Sequence, residues 1–183
     1  MTGTTRPGVP PSPDPVASPD AYRATILGWL ADDDPAEVQA GTPGSLRALV
    51  RDAGARLRER PEAAEWSVIE CVGHMVDSEI VASARARWIV SEDTPDIVGY
   101  DQDRWVAGLG HRDDDPDQLI ALFEALRSAN LRLWANTDPA TRIRVGVHRE
   151  RGPESYGLMW RLIAGHDRHH LDQAERALAR LRG

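Results

Sequence analysis

Residues 160–181, WRLIAGHDRHHLDQAERALARL, decide the reading of this chain. At helical period Met159, Leu162, Ile163, Ala177 and Leu181 share one face, because each residue advances 100° around the axis. His166 and His170 are four apart and fall near the centre of that face. Side chains at i and i+4 stack one above the other, so both imidazoles point into whatever the helix packs against. Polar rings aimed inward cost free energy unless something binds them. A divalent metal ion is the usual answer for a His-x-x-x-His pair; two hydrogen-bonded core histidines are the alternative. His169 is turned off that axis, toward the edge of the face.

The rest of the chain reads as a bundle for this helix to join. Ser18-Pro19-Asp20 is a helix start, followed by Tyr22, Ile26, Trp29 and Leu30 in a short amphipathic segment ending near Asp32. The stretch DDDPAEVQAGTPG reads as a polar, breaker-containing connection, and the next helix is expected from Ser45 to Arg60. Ser67 and Glu70 fit a capping box, opening a helix to about Val90 that carries His74, Asp77 and Glu79. His74 lies on the flank of that helix's apolar arc, so periodicity alone does not bury it. Residues 91–114 read as one long loop, the kind that has a function or covers something. Asp115, Pro116 and Gln118 open a further helix with Leu119, Leu122, Phe123, Leu126, Asn130 and Leu133 on one stripe. Residues 142–148 alternate as a short strand before the turn RGPES. The fold class is all-α: an up-down four-helix bundle with a short extra N-terminal helix and a long loop between the second and third bundle helices.

Composition sets further bounds. The 183 residues suit one domain, and residues 1–17, rich in Pro, Thr, Ser and Gly, are expected to be a disordered tail ahead of a bundle domain over 18–183. A net charge of −7 argues against nucleic acid and anionic membranes as partners. All 22 basic residues are Arg, which excludes lysine Schiff-base chemistry. Cys71 is the only cysteine, so there is neither an internal disulfide nor a Cys-rich zinc site. Nothing resembles a signal peptide or membrane span, and the expected location is the cytoplasm.

Four stretches together carry a resemblance. EWSVIECVGHMVDSE around His74, PDIVGYDQDRW, HRERG, and IAGHDRHHLDQ around His166 and His170 occur in one order over about residues 43–181. In these the chain resembles the DinB/YfiT-like family, bacterial four-helix-bundle proteins described as metalloenzymes. The resemblance implies a metal held by His74, His166 and His170; the place of His74 in that set comes mainly from the family. It implies a small-molecule substrate, homodimers among its assembly states, and a metal-dependent transferase or hydrolase. Activation of a low-molecular-weight thiol for S-transfer is the first expectation, hydrolysis by an activated water the second, and a metal-binding stress-induced bundle without turnover the third.

Three imidazoles leave coordination open for water or substrate, which suits catalysis over a closed structural site. Zn or Ni is expected first, with Fe, Mn or Cu compatible with the same nitrogens. His148, His169, Asn130, Gln173 and Asp77 are candidates for the shell around the ligands or the pocket. Each has a plainer reading: a solvated loop residue for His148, a surface residue for His169, an inter-helix tie for Asn130 and Gln173, and a helix-flank polar group for Asp77.

Overall fold

A computed structural model describes residue 13 and residues 15–183. The expected tail lies outside the described residues except for 13 and 15–17, the last three forming a turn. The helices are α1 (Pro19–Leu30), α2 (Pro35–Ala53), α3 (Val68–Ser91), α4 (Gln102–Leu109), α5 (Pro116–Ala135), α6 (Pro139–Arg142) and α7 (Tyr156–Arg182). Three short strands, β1 (Asp96–Ile97), β2 (Val145–His148) and β3 (Gly152–Ser155), form one small sheet in that order. β1 pairs parallel to β2, and β2 pairs antiparallel to β3.

The four-helix bundle is α2, α3, α5 and α7, with α1 laid along α7. Its threading shows in the cross-links. Gln39 donates to the Trp160 carbonyl at one end and Arg182 to the Asp52 carbonyl at the other, so α2 and α7 run the same way. Ile89 packs with Met159, and Ile69 with Leu178, so α3 runs opposite to α7. Glu79 meets Arg127 and Ser83 meets Asn130, so α3 and α5 are parallel. The alternation of direction holds from α2 to α3 and from α5 to α7. Residues 92–115 make the crossover that returns the chain to begin α5 beside α3 in the same sense.

Helix α2 begins ten residues earlier than expected. The Asp34 side chain accepts from the backbone N–H of Ala36 at 2.6 Å, and Pro35 takes the first helical position, where no N–H is needed. The breakers Gly41, Pro43 and Gly44 are all inside the helix. Pro43 has no N–H to offer the carbonyl of Gln39 four residues back. Arg127 Nη1 fills that vacancy at 3.0 Å.

Arg127 ties the bundle together. Only 1% exposed, it holds Glu79 of α3 through Nε and Nη2 (3.0 and 2.8 Å) and Asp167 of α7 through Nη1 and Nη2 (2.5 and 3.1 Å). Thr42 of α2 also donates to Asp167 at 2.7 Å. All four bundle helices thus meet at one guanidinium, with its fork geometry matched to two carboxylates.

The 91–114 stretch is more ordered than a loop. It contains β1, α4 and a tight 3₁₀ turn at His111–Asp113. His111 is clamped between two carboxylates, Asp77 at 2.7 Å and Asp114 at 2.8 Å. Its ring lies on Gly73, where a Cβ would collide with it, so only glycine lets the turn sit this close to α3. The RGPES segment, read as a turn, supplies β3. Ser67 and Glu70 form the expected capping box, with Arg60 also holding the Glu70 carboxylate at 2.9 Å.

Candidate metal centre

His74 projects from α3 toward His166 and His170 on α7. Its Nε2 lies 3.2 Å from Nε2 of each partner. The ligand atoms of all three lie within 4.8 Å of one another. One proton on His74 Nε2 could serve only one of these two contacts. A cation at the convergence would serve three lone pairs at once. A 3.2 Å edge is what two nitrogens show when each sits about 2.0 Å from a tetrahedral ion. Two of the three edges, those from His74, match such an ion, and the third lies within 4.8 Å.

Protonation favours ligation. Burial, reinforced by the neighbouring histidines, holds His74 and His170 well below the ordinary imidazole range. Burial, with His169 and Arg127 adding to it, lowers His166 to about 3. All three rings are neutral at physiological pH and carry free lone pairs. His170 Nδ1 donates to Gln173 Oε1 at 2.8 Å, which commits its Nε2 to the centre. His74 Nδ1 is buried with no hydrogen-bond partner. Trp66 walls the centre, 5.0 Å from the His74 ring and stacked 6.1 Å from His170.

His166 borders a cavity of about 130 Å³ lined also by Ser78, Tyr100, Met75, Arg85 and Met159 among others, and together with His170 it borders a second one beside Tyr22 and Tyr100. Tyr100 Oη is 2.6 Å from Ser78 Oγ, and Ser78 Oγ is 3.4 Å from His74 Nε2. Burial pushes the Tyr100 phenol up to about 12, so it keeps its proton. Trp105 packs against Tyr100 at 4.5 Å, and Asp101 caps α4 by accepting from Arg104 N–H at 3.0 Å.

The other candidates separate. His74 is 1% exposed, because α7, Trp66 and the Tyr100 segment cover the flank position. His148 is not a solvated loop residue. It is completely buried in β2, opposite Ile97 of β1, with Nε2 3.4 Å from Arg85 Nη2, away from the triad. Pairing β2 on both sides turns its alternate residues inward. His169 is buried too, edge-on to Trp29 at 5.6 Å, beside the approach to His170. Asn130 ties α5 to α3 through Glu79 and Ser83 at 2.8 and 2.6 Å. Asp77 serves His111. The Arg127 cluster was missed, although Arg127 is four after Phe123 and three before Asn130, on the apolar stripe. Nothing in the sequence around His111 beyond its acidic neighbours pointed to its clamp.

The sequence pattern of the DinB superfamily matches residues 40–174. The chain belongs to the DinB superfamily. A Bacillus mycoides protein is 25% identical over 150 residues, 81% of this chain and 86% of its own length. An Oceanobacillus iheyensis relative is 30% identical over 106 residues, 58% of this chain and 61% of its own. Both carry the provisional name metal-dependent hydrolase. Among solved structures, YfiT from Bacillus subtilis superposes with a TM-score of 0.74 at 20% identity, covering 88% of this chain and 89% of YfiT. YfiT is described as a probable metal-dependent hydrolase with an unusual four-helix bundle topology; the likeness supports the bundle fold. Among the described residues no helix is long and apolar enough to cross a membrane.

Proposed function

We propose that this chain is a metal-dependent hydrolase of a small molecule, with His74, His166 and His170 holding one divalent transition metal ion, zinc or nickel first. The observation that carries this reading is the approach of His74 Nε2 to both partner Nε2 atoms at 3.2 Å. When bound, such an ion supplies Lewis acidity that brings a coordinated water's pKa toward neutrality and polarises a carbonyl.

The chain's own groups have defined tasks in this scheme. Gln173 fixes the His170 tautomer. Trp66 keeps bulk water from one side, which strengthens electrostatics inside. Tyr100, protonated and braced by Ser78, donates a hydrogen bond to oxygen where negative charge develops. Glu79 and Asp167 also line the cavity, but Arg127 engages both, so neither is free to act as general base. Neither the relatives' names nor a feature of the cavity favours a thiol co-substrate, so thiol transfer becomes an outcome of the test.

The test begins with elemental analysis of protein purified without a metal-affinity tag, beside His166→Ala and His170→Ala. About one transition metal per chain, absent from both variants, is expected, together with chelator-sensitive cleavage of small esters or amides. Folded, metal-free protein that takes up neither zinc nor nickel would overturn the reading. Stoichiometric metal with activity only when a small thiol is added would replace hydrolysis by S-transfer, and metal without any turnover would leave a binding protein.

A further inference from the structure

We propose that Arg85 is the anion-recognising residue of this cavity and that the substrate carries a carboxylate. The inference rests on the hydrolase reading only for where the reacting group sits. Arg85 lines the same cavity as His166, Ser78 and Tyr100. It follows Ser78 by seven residues on α3, two turns or ~10 Å of helix axis. His74, Ser78 and Arg85 therefore share one stripe, the centre at one end and the guanidinium at the other.

Half-buried Arg85 differs from buried Arg127 and from half-buried Arg151 and Arg23 in having no carboxylate at ion-pair distance. Among the described residues Arg127 is paired with Glu79 and Asp167, while Arg151 and Arg23 both engage Glu154. Arg85 pairs with none: one Nη2 bond to the Val98 carbonyl at 2.6 Å accounts for its anchoring, and its Nε is buried without a partner. Its Nη2 also faces His148 Nε2 at 3.4 Å. His148 Nδ1 faces the Glu150 N–H at 3.3 Å, so a neutral ring can accept from only one of the two. Glu150 lines the cavity as well but is exposed and makes no ion pair with Arg85.

A desolvated cation without a counter-charge is costly, and folded proteins pair or coordinate buried charges. An anionic group brought by the ligand would supply the missing partner, with the shape match of guanidinium to carboxylate. Between the two ends Met75, Ala82, Met159, Leu162 and Ile163 give the wall apolar patches, and its carboxylates Glu79, Asp167 and Glu154 are already engaged by Arg127 and Arg151. The 130 Å³ cavity is well above the ~10–15 Å³ that a single water needs, so it admits a small organic molecule. The ligand class is thus a small carboxylic acid with an apolar body and its reacting carbonyl remote from the acid.

The experiment is calorimetric titration of the purified, metal-characterised protein with hexanoate, hexanamide and hexyl phosphate, repeated on Arg85→Gln and Arg85→Lys. Hexanoate is expected to bind the wild-type chain roughly tenfold more tightly than hexanamide. That preference should vanish in Arg85→Gln and partly survive in Arg85→Lys, with melting temperature and metal content unchanged. Equal affinities in the wild type, a preference that survives Arg85→Gln, or no binding of either probe would overturn the proposal. Survival in Arg85→Gln would place the carboxylate on the metal. Tighter binding of hexyl phosphate than hexanoate would overturn the carboxylate and make the ligand a phosphate. An Arg85-dependent preference in metal-free protein would uphold the anion site while the hydrolase reading fails.

Discussion

Gln173 accepts a hydrogen bond from Nδ1 of His170 at 2.8 Å, from one turn further along the same helix. Such a contact fixes which ring nitrogen is left for a metal and in which direction it points. Gln173→Leu should therefore weaken metal binding about 10- to 100-fold without unfolding the bundle. Competition against a chromophoric chelator measures this directly. Unaltered affinity would make Gln173 a covering residue only.

Tyr100 holds its proton and points with Ser78 toward the triad. Loss of a single oxyanion donor typically costs about 10²–10³ in kcat. Tyr100→Phe should lower kcat on that scale, with KM and metal content near wild type. A change in KM alone would assign Tyr100 to binding.

Arg127 offsets two buried carboxylates, and removing it leaves both uncompensated. Arg127→Met should cost about 3–5 kcal/mol in denaturant unfolding. It also strips the Gln39 carbonyl of the donor that stands in for Pro43. Adding Glu79→Gln and Asp167→Asn to Arg127→Met should recover part of the loss. A cost below about 1 kcal/mol would mean that the carboxylates are served by water.

The metal-free chain should lose stability toward acid. His74, His166 and His170 have folded pKa values depressed by burial first, His166 to about 3. Above the unfolded value near 6.5 both states are neutral, and stability is full. As pH falls, the unfolded chain gains protons first, at up to ~1.4 kcal/mol per pH unit for each histidine. Replacing the three by Leu should flatten this limb between pH 6.5 and 4, measured by urea unfolding with chelator present.

His111 works with the opposite sign. Burial alone would lower its pKa, but bonds to Asp114 and Asp77 leave it raised. Its contribution is complete below the unfolded value near 6.5 and is lost as pH rises through the folded value. His111→Asn should remove pH dependence on the alkaline side of neutrality, read from the same urea curves. An unchanged alkaline limb would mean that His111 holds the turn by packing on Gly73 alone.

The inward pair His166/His170, the capping box at Ser67–Glu70 and the all-α bundle were legible in the residues, because helix period and capping are set by neighbours three or four positions away. The start of α2 was not. Gly41, Pro43 and Gly44 have the local propensities of a connection, and only the cross-bundle bond from Arg127 to Gln39 makes the helix continuous there. His74 shows the same division: its flank position is fixed by sequence, its burial by α7 and Trp66 closing over it. His148 had two readings, a pocket-lining group and a solvated one; strand alternation in β2 turns Gly146 and His148 inward, which removes the solvated reading. The sequence by itself determined which side chains each helix presents. The tertiary structure alone decided which of them meet, since the crossover at 92–115 puts α3 beside both α5 and α7 and so brings Arg127 onto Glu79 and Asp167. Local geometry repeats every turn of helix, whereas pairing of charges across a bundle depends on contacts tens of residues apart.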